Sequence, residues 1–262
     1  MKKKYFFVLI ILFILFIRVS ANAETIFDTS NTSSGILYIT YDGSLSKKIK
    51  LTVELSGSTE KYVYNVTSNK KFSVPLQLGN GEYTVSMLEN VSGQSYRILA
   101  KNSFKADIKT PNNMFLTASP IVNYTSDMEV IKAYDTLLKG KENENTSNLY
   151  ERVVNDYYYD YNKASNPPVE YVPNIEEIYK SKKAICYDYS AIMSSVLRHK
   201  SIPTKLVMGY APEVEGYHAW NEIYIDGSWV VVDTTYDSVY AHAGLKYSMK
   251  KDGSKFKVVK VY

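Results

Sequence analysis

The sequence predicts an α+β protein in two parts, a strand-rich stretch followed by a helical stretch that closes on a hairpin. Two observations carry this. From Glu24 to about Thr117, short apolar or alternating runs recur between clusters of Gly, Asn and Ser. Beyond a Pro- and Asn-bearing segment, Pro111 to Tyr124, the apolar period changes from two to that of a helix. The expected boundaries are residues 1–23, 24–118 and 119–262.

Residues 1–23 read as a secretory signal peptide. Lys2, Lys3 and Lys4 precede an unbroken apolar run from Tyr5 to Ile17, and Ala21-Asn-Ala23 supplies a small-residue cleavage site. The run is short for a membrane span, which needs about 20 apolar residues. The leader also holds the whole charge excess. The chain has 31 Lys and Arg against 27 Asp and Glu; removing the four basic residues of 1–23 leaves 27 against 27. A balanced chain gives no electrostatic argument for nucleic acid or for an anionic membrane surface. The expectation is a secreted or cell-surface protein, with no membrane attachment once the leader is cut after Ala23. The Lys-, Asn- and Tyr-rich composition points to a bacterial source.

In residues 24–118 the expected strands are Ile36–Tyr41, Ile49–Leu55, Tyr62–Thr67, Phe72–Leu78 and Gly81–Leu88, with a further pair around Tyr96–Ala100 and Phe104–Ile108. Six or seven short strands at this spacing predict an immunoglobulin-like β-sandwich. Pro75 has no N–H and is assigned to an edge or a bulge. Ser126-Asp-Met-Glu129 has the form of a capping box for a helix carrying Val130, Ile131, Tyr134, Leu137 and Leu138, ended by Gly140. Lys141 to Asn148 reads as a polar break. A second helix places Leu149, Val153, Val154, Tyr157 and Tyr161 on one face, and Asn174 caps a short third helix to about Ser181.

The chemistry-bearing residues follow. Lys183-Ala-Ile-Cys-Tyr-Asp-Tyr-Ser190 opens an amphipathic helix with Cys186, the single cysteine, in its first turn. Free N–H groups and the positive end of the helix dipole there favour a thiolate, the working nucleophile. Thr204–Tyr210 reads as a strand, and Tyr217–Ile225, Asp226-Gly227 and Ser228–Thr235 as a hairpin. If Asp226-Gly227 is a two-residue turn, Ile225 faces Ser228, Asp233 faces Trp220 and His218 faces Thr235. His218 and Asp233 then share a face as diagonal neighbours, about 7–8 Å apart at the backbone. A slip of one residue would put them on opposite faces. The pattern is that of a Cys–His–Asp relay: Cys186 attacks, His218 moves the proton, Asp233 orients the ring.

The order Cys186, His218-Ala-Trp220, Asp233-Thr-Thr235, with Ile202-Pro203 and Gly209-Tyr210 between, resembles the transglutaminase-like superfamily, whose catalytic unit is similar to that of papain-type cysteine enzymes. The resemblance covers about Glu151 to Tyr236. It implies a transglutaminase-like α+β domain, acyl transfer through a thioester, and a protein or peptide substrate, including cell-envelope material. It implies no metal or organic cofactor. Three departures stand out: Ala184 where the family has Gly, Tyr187 where Trp or Arg is common, and Thr234 for Pro. None removes a reacting atom. Trp220 is assigned to hairpin packing or to the wall of the substrate cleft, and Asp188 to a structural role at the helix start. His199 is read as a solvated charge at a helix end, and His242 as a loop residue. Three function classes stay open: a peptidase or amidase, a Gln–Lys cross-linking transferase, and a non-catalytic surface-binding module.

Overall fold

The computed structural model describes residues 25–262, so the leader reading lies outside the described residues. The N-terminal region contains seven strands: β1 (Thr25–Asp28), β2 (Ile36–Tyr41), β3 (Ile49–Leu55), β4 (Lys61–Val66), β5 (Phe72–Pro75), β6 (Gly81–Ser92) and β7 (Ser95–Ala106). They form two antiparallel sheets, ordered β1-β2-β5 and β4-β3-β6-β7. The alternation of each strand sends one set of side chains inward. Leu37, Ile39 and Tyr41 from one sheet meet Leu51, Val53, Tyr64, Tyr83 and Val85 from the other in a single core. Pro75 lies on edge strand β5, where a missing N–H breaks no central ladder.

Two details differ from the sequence expectation. The pair expected at 96–100 and 104–108 is one twelve-residue strand, β7, laddered along the equally long β6. The four-residue β1 is too short for any period to mark it.

The connecting segment carries a short 3₁₀ turn, Pro111–Phe115, that buries Met114 and Phe115. Six helices follow: α1 (Glu129–Leu137), α2 (Glu142–Asp156), α3 (Tyr161–Ser165), α4 (Ile175–Ser181), α5 (Cys186–His199) and α6 (Thr234–His242). Helix α1 does not use the expected capping box. Thr125 to Met128 closes a turn of its own, with the Thr125 hydroxyl donating to the Asp127 carboxylate, so the helix begins only at Glu129. The expected polar break is instead the first two turns of α2. Its polar groups are satisfied locally: the Asn145 amide takes both the N–H and the C=O of Gly140, and the Thr146 hydroxyl donates to the Glu142 carbonyl. Asn174 caps α4 as expected, accepting from Glu176 N–H at 3.2 Å.

Helix α5 packs on a five-stranded antiparallel sheet that holds β10 (Thr204–Tyr210), β11 (His218–Ile225) and β12 (Ser228–Val232). Its flanks are β13 (Lys250–Lys251) beside β12 and β14 (Lys257–Val261) beside β10, two strands that the sequence did not announce. Tyr189, Ile192, Met193, Val196 and Leu197 of α5 are buried with Leu149 and Val153 of α2 and Leu206 and Ile223 of the sheet. A parallel two-residue pair, β8 (Tyr158–Tyr159) and β9 (Lys183–Ala184), ties the end of α2 to the start of α5.

Candidate active site

Cys186 is the first residue of α5 and is half-exposed. The turn that presents it is held by its own helix. Asp188, fully buried, accepts the Ile185 N–H at 2.9 Å and thereby satisfies a donor that the helix start leaves free. The same carboxylate takes the Lys163 ammonium from α3 at 2.6 Å and the Tyr171 hydroxyl at 2.5 Å. Asp188 is thus structural, as expected, but Lys163 and Tyr171 were not foreseen: no local pattern relates them to α5. Ala184, in place of the family's Gly, lies in β9 with an ordinary negative φ, so no glycine is required there.

His218 opens β11 and pairs with Gly209 of β10. The hairpin has the expected register. Asp226 and Gly227 both have positive φ, 51° and 76°, as a two-residue turn matched to the strand twist requires. Ile225 faces Ser228, and the ladder runs to Asn221 opposite Val232. There it stops. The expected pairings of Asp233 with Trp220 and of His218 with Thr235 do not form, because Thr234 and Thr235 begin α6. Asp233 is the N-cap of α6, and its Oδ1 accepts Tyr236 N–H at 3.1 Å. Its Oδ2 faces the Nε2 of His218 at 2.8 Å. Both residues are buried. Helix capping and ring orientation therefore use the two oxygens of one carboxylate.

With Nε2 occupied by Asp233, Nδ1 is the ring nitrogen left for Cys186. Burial disfavours the imidazolium, but the hydrogen bond to Asp233, then the influence of Cys186, outweigh it and raise His218 to about 10. Tyr159, from β8, stands close enough for Cys186 to oppose its ionisation; burial first, then Cys186, push it up to about 12.

Trp220 does not line a cleft. It is 1% exposed, its ring lies 6.4 Å from that of His218, and it packs on Phe256 and against Gly209. Of the two readings open for it, packing behind the histidine is the one observed. The other histidines stand apart from this site. His199 Nε2 lies 2.8 Å from the Asp135 carboxylate, so its ring is held by a partner rather than free in solvent. His242 is the last residue of α6, not a loop residue, and its Nδ1 lies 2.8 Å from the Ser238 carbonyl.

Beyond these, α6 carries a second buried acid that the sequence did not single out. Asp237 is one turn after Asp233 and is held by the Tyr150 hydroxyl at 2.8 Å and by the Lys251 ammonium. Burial, only partly offset by Lys251 and Tyr150, raises it to about 6.

Residues 132–234 match the family model of the transglutaminase-like superfamily, a span that contains Cys186, His218 and Asp233. The chain carries a transglutaminase-like domain. A curated relative, the UPF0252 protein of Methanocaldococcus jannaschii, is 29% identical to it over 119 residues. That alignment covers 41% of this chain and 34% of the relative, so the chain spans about a third of the length of the curated relative it matches. Solved structures similar to this chain include a Cytophaga hutchinsonii protein proposed to be a cysteine protease, at 15% identity and a TM-score of 0.43, covering 87% of this chain and 83% of that one. Red sea bream transglutaminase is also similar, at 13% identity and a TM-score of 0.26, with 76% and 48% covered.

Proposed function

We propose that this chain is an exported cysteine-dependent acyl-transfer enzyme that hydrolyses peptide or carboxamide bonds, with Cys186, His218 and Asp233 as its catalytic residues. One observation carries the reading: the His218 ring is held at Nε2 by Asp233, while Cys186, at a helix N-terminus, acts on the same ring.

The steps follow from the geometry. The Cys186 thiolate attacks the substrate carbonyl carbon, and the carbonyl electron pair moves to oxygen. The Cys186 backbone N–H, free at the first helical position, donates to that oxyanion. As the C–N bond breaks, the His218 imidazolium gives its proton to the leaving amine. Neutral His218 then takes a proton from water, and the hydroxide attacks the thioester. The acid is released and the thiolate–imidazolium pair is restored. Asp233 stays ionised throughout and keeps the ring in one orientation.

Hydrolysis is favoured over transfer to an amine by the half-exposed position of Cys186, which leaves the thioester open to water. Export rests on the pattern of residues 1–23, and cell-envelope peptides are the substrates an exported enzyme of this kind would meet.

The test is alkylation by iodoacetamide. Wild type should react quickly at pH 6, where an ordinary thiol is mostly protonated. His218→Ala should slow it at least tenfold, and Asp233→Ala should slow it less while still impairing turnover. Equal, slow alkylation of wild type and His218→Ala from pH 6 to pH 8 would remove the enzyme reading and leave the binding module in its place.

A further inference from the structure

A cavity of about 780 Å³ opens between the N-terminal sheets and the transglutaminase-like domain. Its walls come from both. Val63 and Asn65 of β4 face Tyr171, Tyr187, Met208 and Tyr262 across it. Tyr187, the residue after Cys186, is on its wall. Tyr171 meets Tyr187 edge-to-face at 6.1 Å. The aromatic lining therefore includes the residue that follows Cys186 and meets β4 of the N-terminal sheet at Val63 and Asn65.

Val63 is 44% exposed and lines this space. At the mouth, Glu170 is paired with Lys48 at 3.0 Å and with Lys50 at 3.1 Å. The charges there neutralise one another. The lining thus offers tyrosine faces and edges, aliphatic surface and neutral amides, and no unpaired charge to a ligand. Its volume lies within the usual range for a ligand pocket, about 300–1,000 Å³.

We infer that this cleft is the subsite for the acyl-donor side of the substrate, that it takes an uncharged peptide segment bearing an aromatic side chain, and that β4 of the N-terminal region is part of the specificity machinery. The inference rests on Cys186 being the nucleophile. Aromatic side chains are preferred because ring edges meeting ring faces add attraction beyond the area buried. A carboxylate or ammonium on the donor would lose its hydration with no partner to replace it.

Peptidyl chloromethyl ketones test this, since the thiolate displaces chloride from the methylene carbon and forms a stable thioether. N-acetyl-phenylalanyl, glycyl and aspartyl chloromethyl ketones serve as probes, with iodoacetamide as the reagent that needs no subsite. Wild type should react at least tenfold faster with the phenylalanyl probe than with the other two. Val63→Trp, which fills the cavity from the N-terminal side, should lose that preference while its iodoacetamide rate stays within about twofold of wild type, on the reasoning that small-reagent access depends on the thiol alone. Asn65→Trp, on the same face, provides the same test if Val63→Trp does not fold. Equal phenylalanyl and glycyl rates in wild type, or an unchanged preference in folded Trp variants, would overturn the inference and leave the nucleophile intact. Iodoacetamide rates that do not respond to His218→Ala would instead overturn the enzyme reading beneath it.

Discussion

Asp188→Ala should weaken both the fold and the nucleophile. The carboxylate is fully buried and holds three donors: Ile185 N–H, Lys163 Nζ and Tyr171 hydroxyl. Removing one partner of a buried ion pair costs about 3–5 kcal/mol when the other is left fully buried. Lys163 keeps 23% of its side chain exposed and can turn to water, so the ion-pair share falls to about 2 kcal/mol by the same reasoning. Losing the helix-start hydrogen bond adds about 1 kcal/mol. The expected total is about 3 kcal/mol, or a fall in Tm of about 6–12 °C for a chain of this size. Urea unfolding followed by tryptophan fluorescence reads the relevant half, since Trp220 and Trp229 both lie in the five-stranded sheet. Combining Asp188→Ala with Lys163→Ala should give a coupling of at least about 1 kcal/mol. Iodoacetamide alkylation at pH 6 should slow in Asp188→Ala, because the turn that aims the thiol has lost its anchor. A loss under about 1 kcal/mol, or single effects that add within about 0.5 kcal/mol, would refute the network as the anchor of α5.

Three further outcomes are expected. His218 binds its proton more tightly folded than unfolded, with its value raised from 6.5 to about 10; the stability this contributes is complete below pH 6.5 and drains as pH rises to about 10. Urea midpoints of wild type should fall over that window, and His218→Ala should lack that share of the fall. Asp237 is raised from 3.8 to about 6, so it too holds its proton more tightly when folded, and stability drains as pH climbs through that interval. Wild type should therefore lose stability relative to Asp237→Asn between pH 4 and pH 6, and a flat difference would contradict the burial argument. Gly209→Ala places a Cβ 2.0 Å from the Lys257 carbonyl oxygen and 2.9 Å from the Trp220 ring. Neither neighbour can rotate away cheaply, so β14 must shift; a destabilisation of at least about 2 kcal/mol in urea is expected, and a neutral result would show that β14 is not held at this distance.

How far the sequence reaches is clearest in the hairpin. Asp226-Gly227 between alternating runs was sufficient for the turn and the register, because a two-residue turn with two positive φ angles admits only one pairing. The position of Cys186 was equally legible, since the amphipathic run of Tyr189, Ile192, Met193, Val196 and Leu197 places it in the first turn of the helix. The end of the ladder was not. Asp233-Thr-Thr read as a continuing strand, and packing of α6 against α2 and α5 makes Asp233 a helix cap instead. That choice moved Asp233 out of the ladder yet kept it 2.8 Å from His218.

Local pattern also failed where polar residues are satisfied within one helix. The start of α2 looked like a break because its amide and hydroxyl find their partners five and four residues back only once the helix has formed. Short strands escaped as well: β1 and β13 span too few residues for a period, and β14 gains its meaning only from lying beside β10. By itself the sequence determined the register of the hairpin and the start of α5, and it named the three residues of the candidate relay, since each of these readings rests on neighbours in the chain. The tertiary structure alone decided the Lys163–Asp188–Tyr171 network, the Asp237–Lys251 pair, the burial of Trp220 and the cleft between β4 and the tyrosines. Each of these joins groups distant in sequence, and such contacts are selected by the global packing rather than by any local preference.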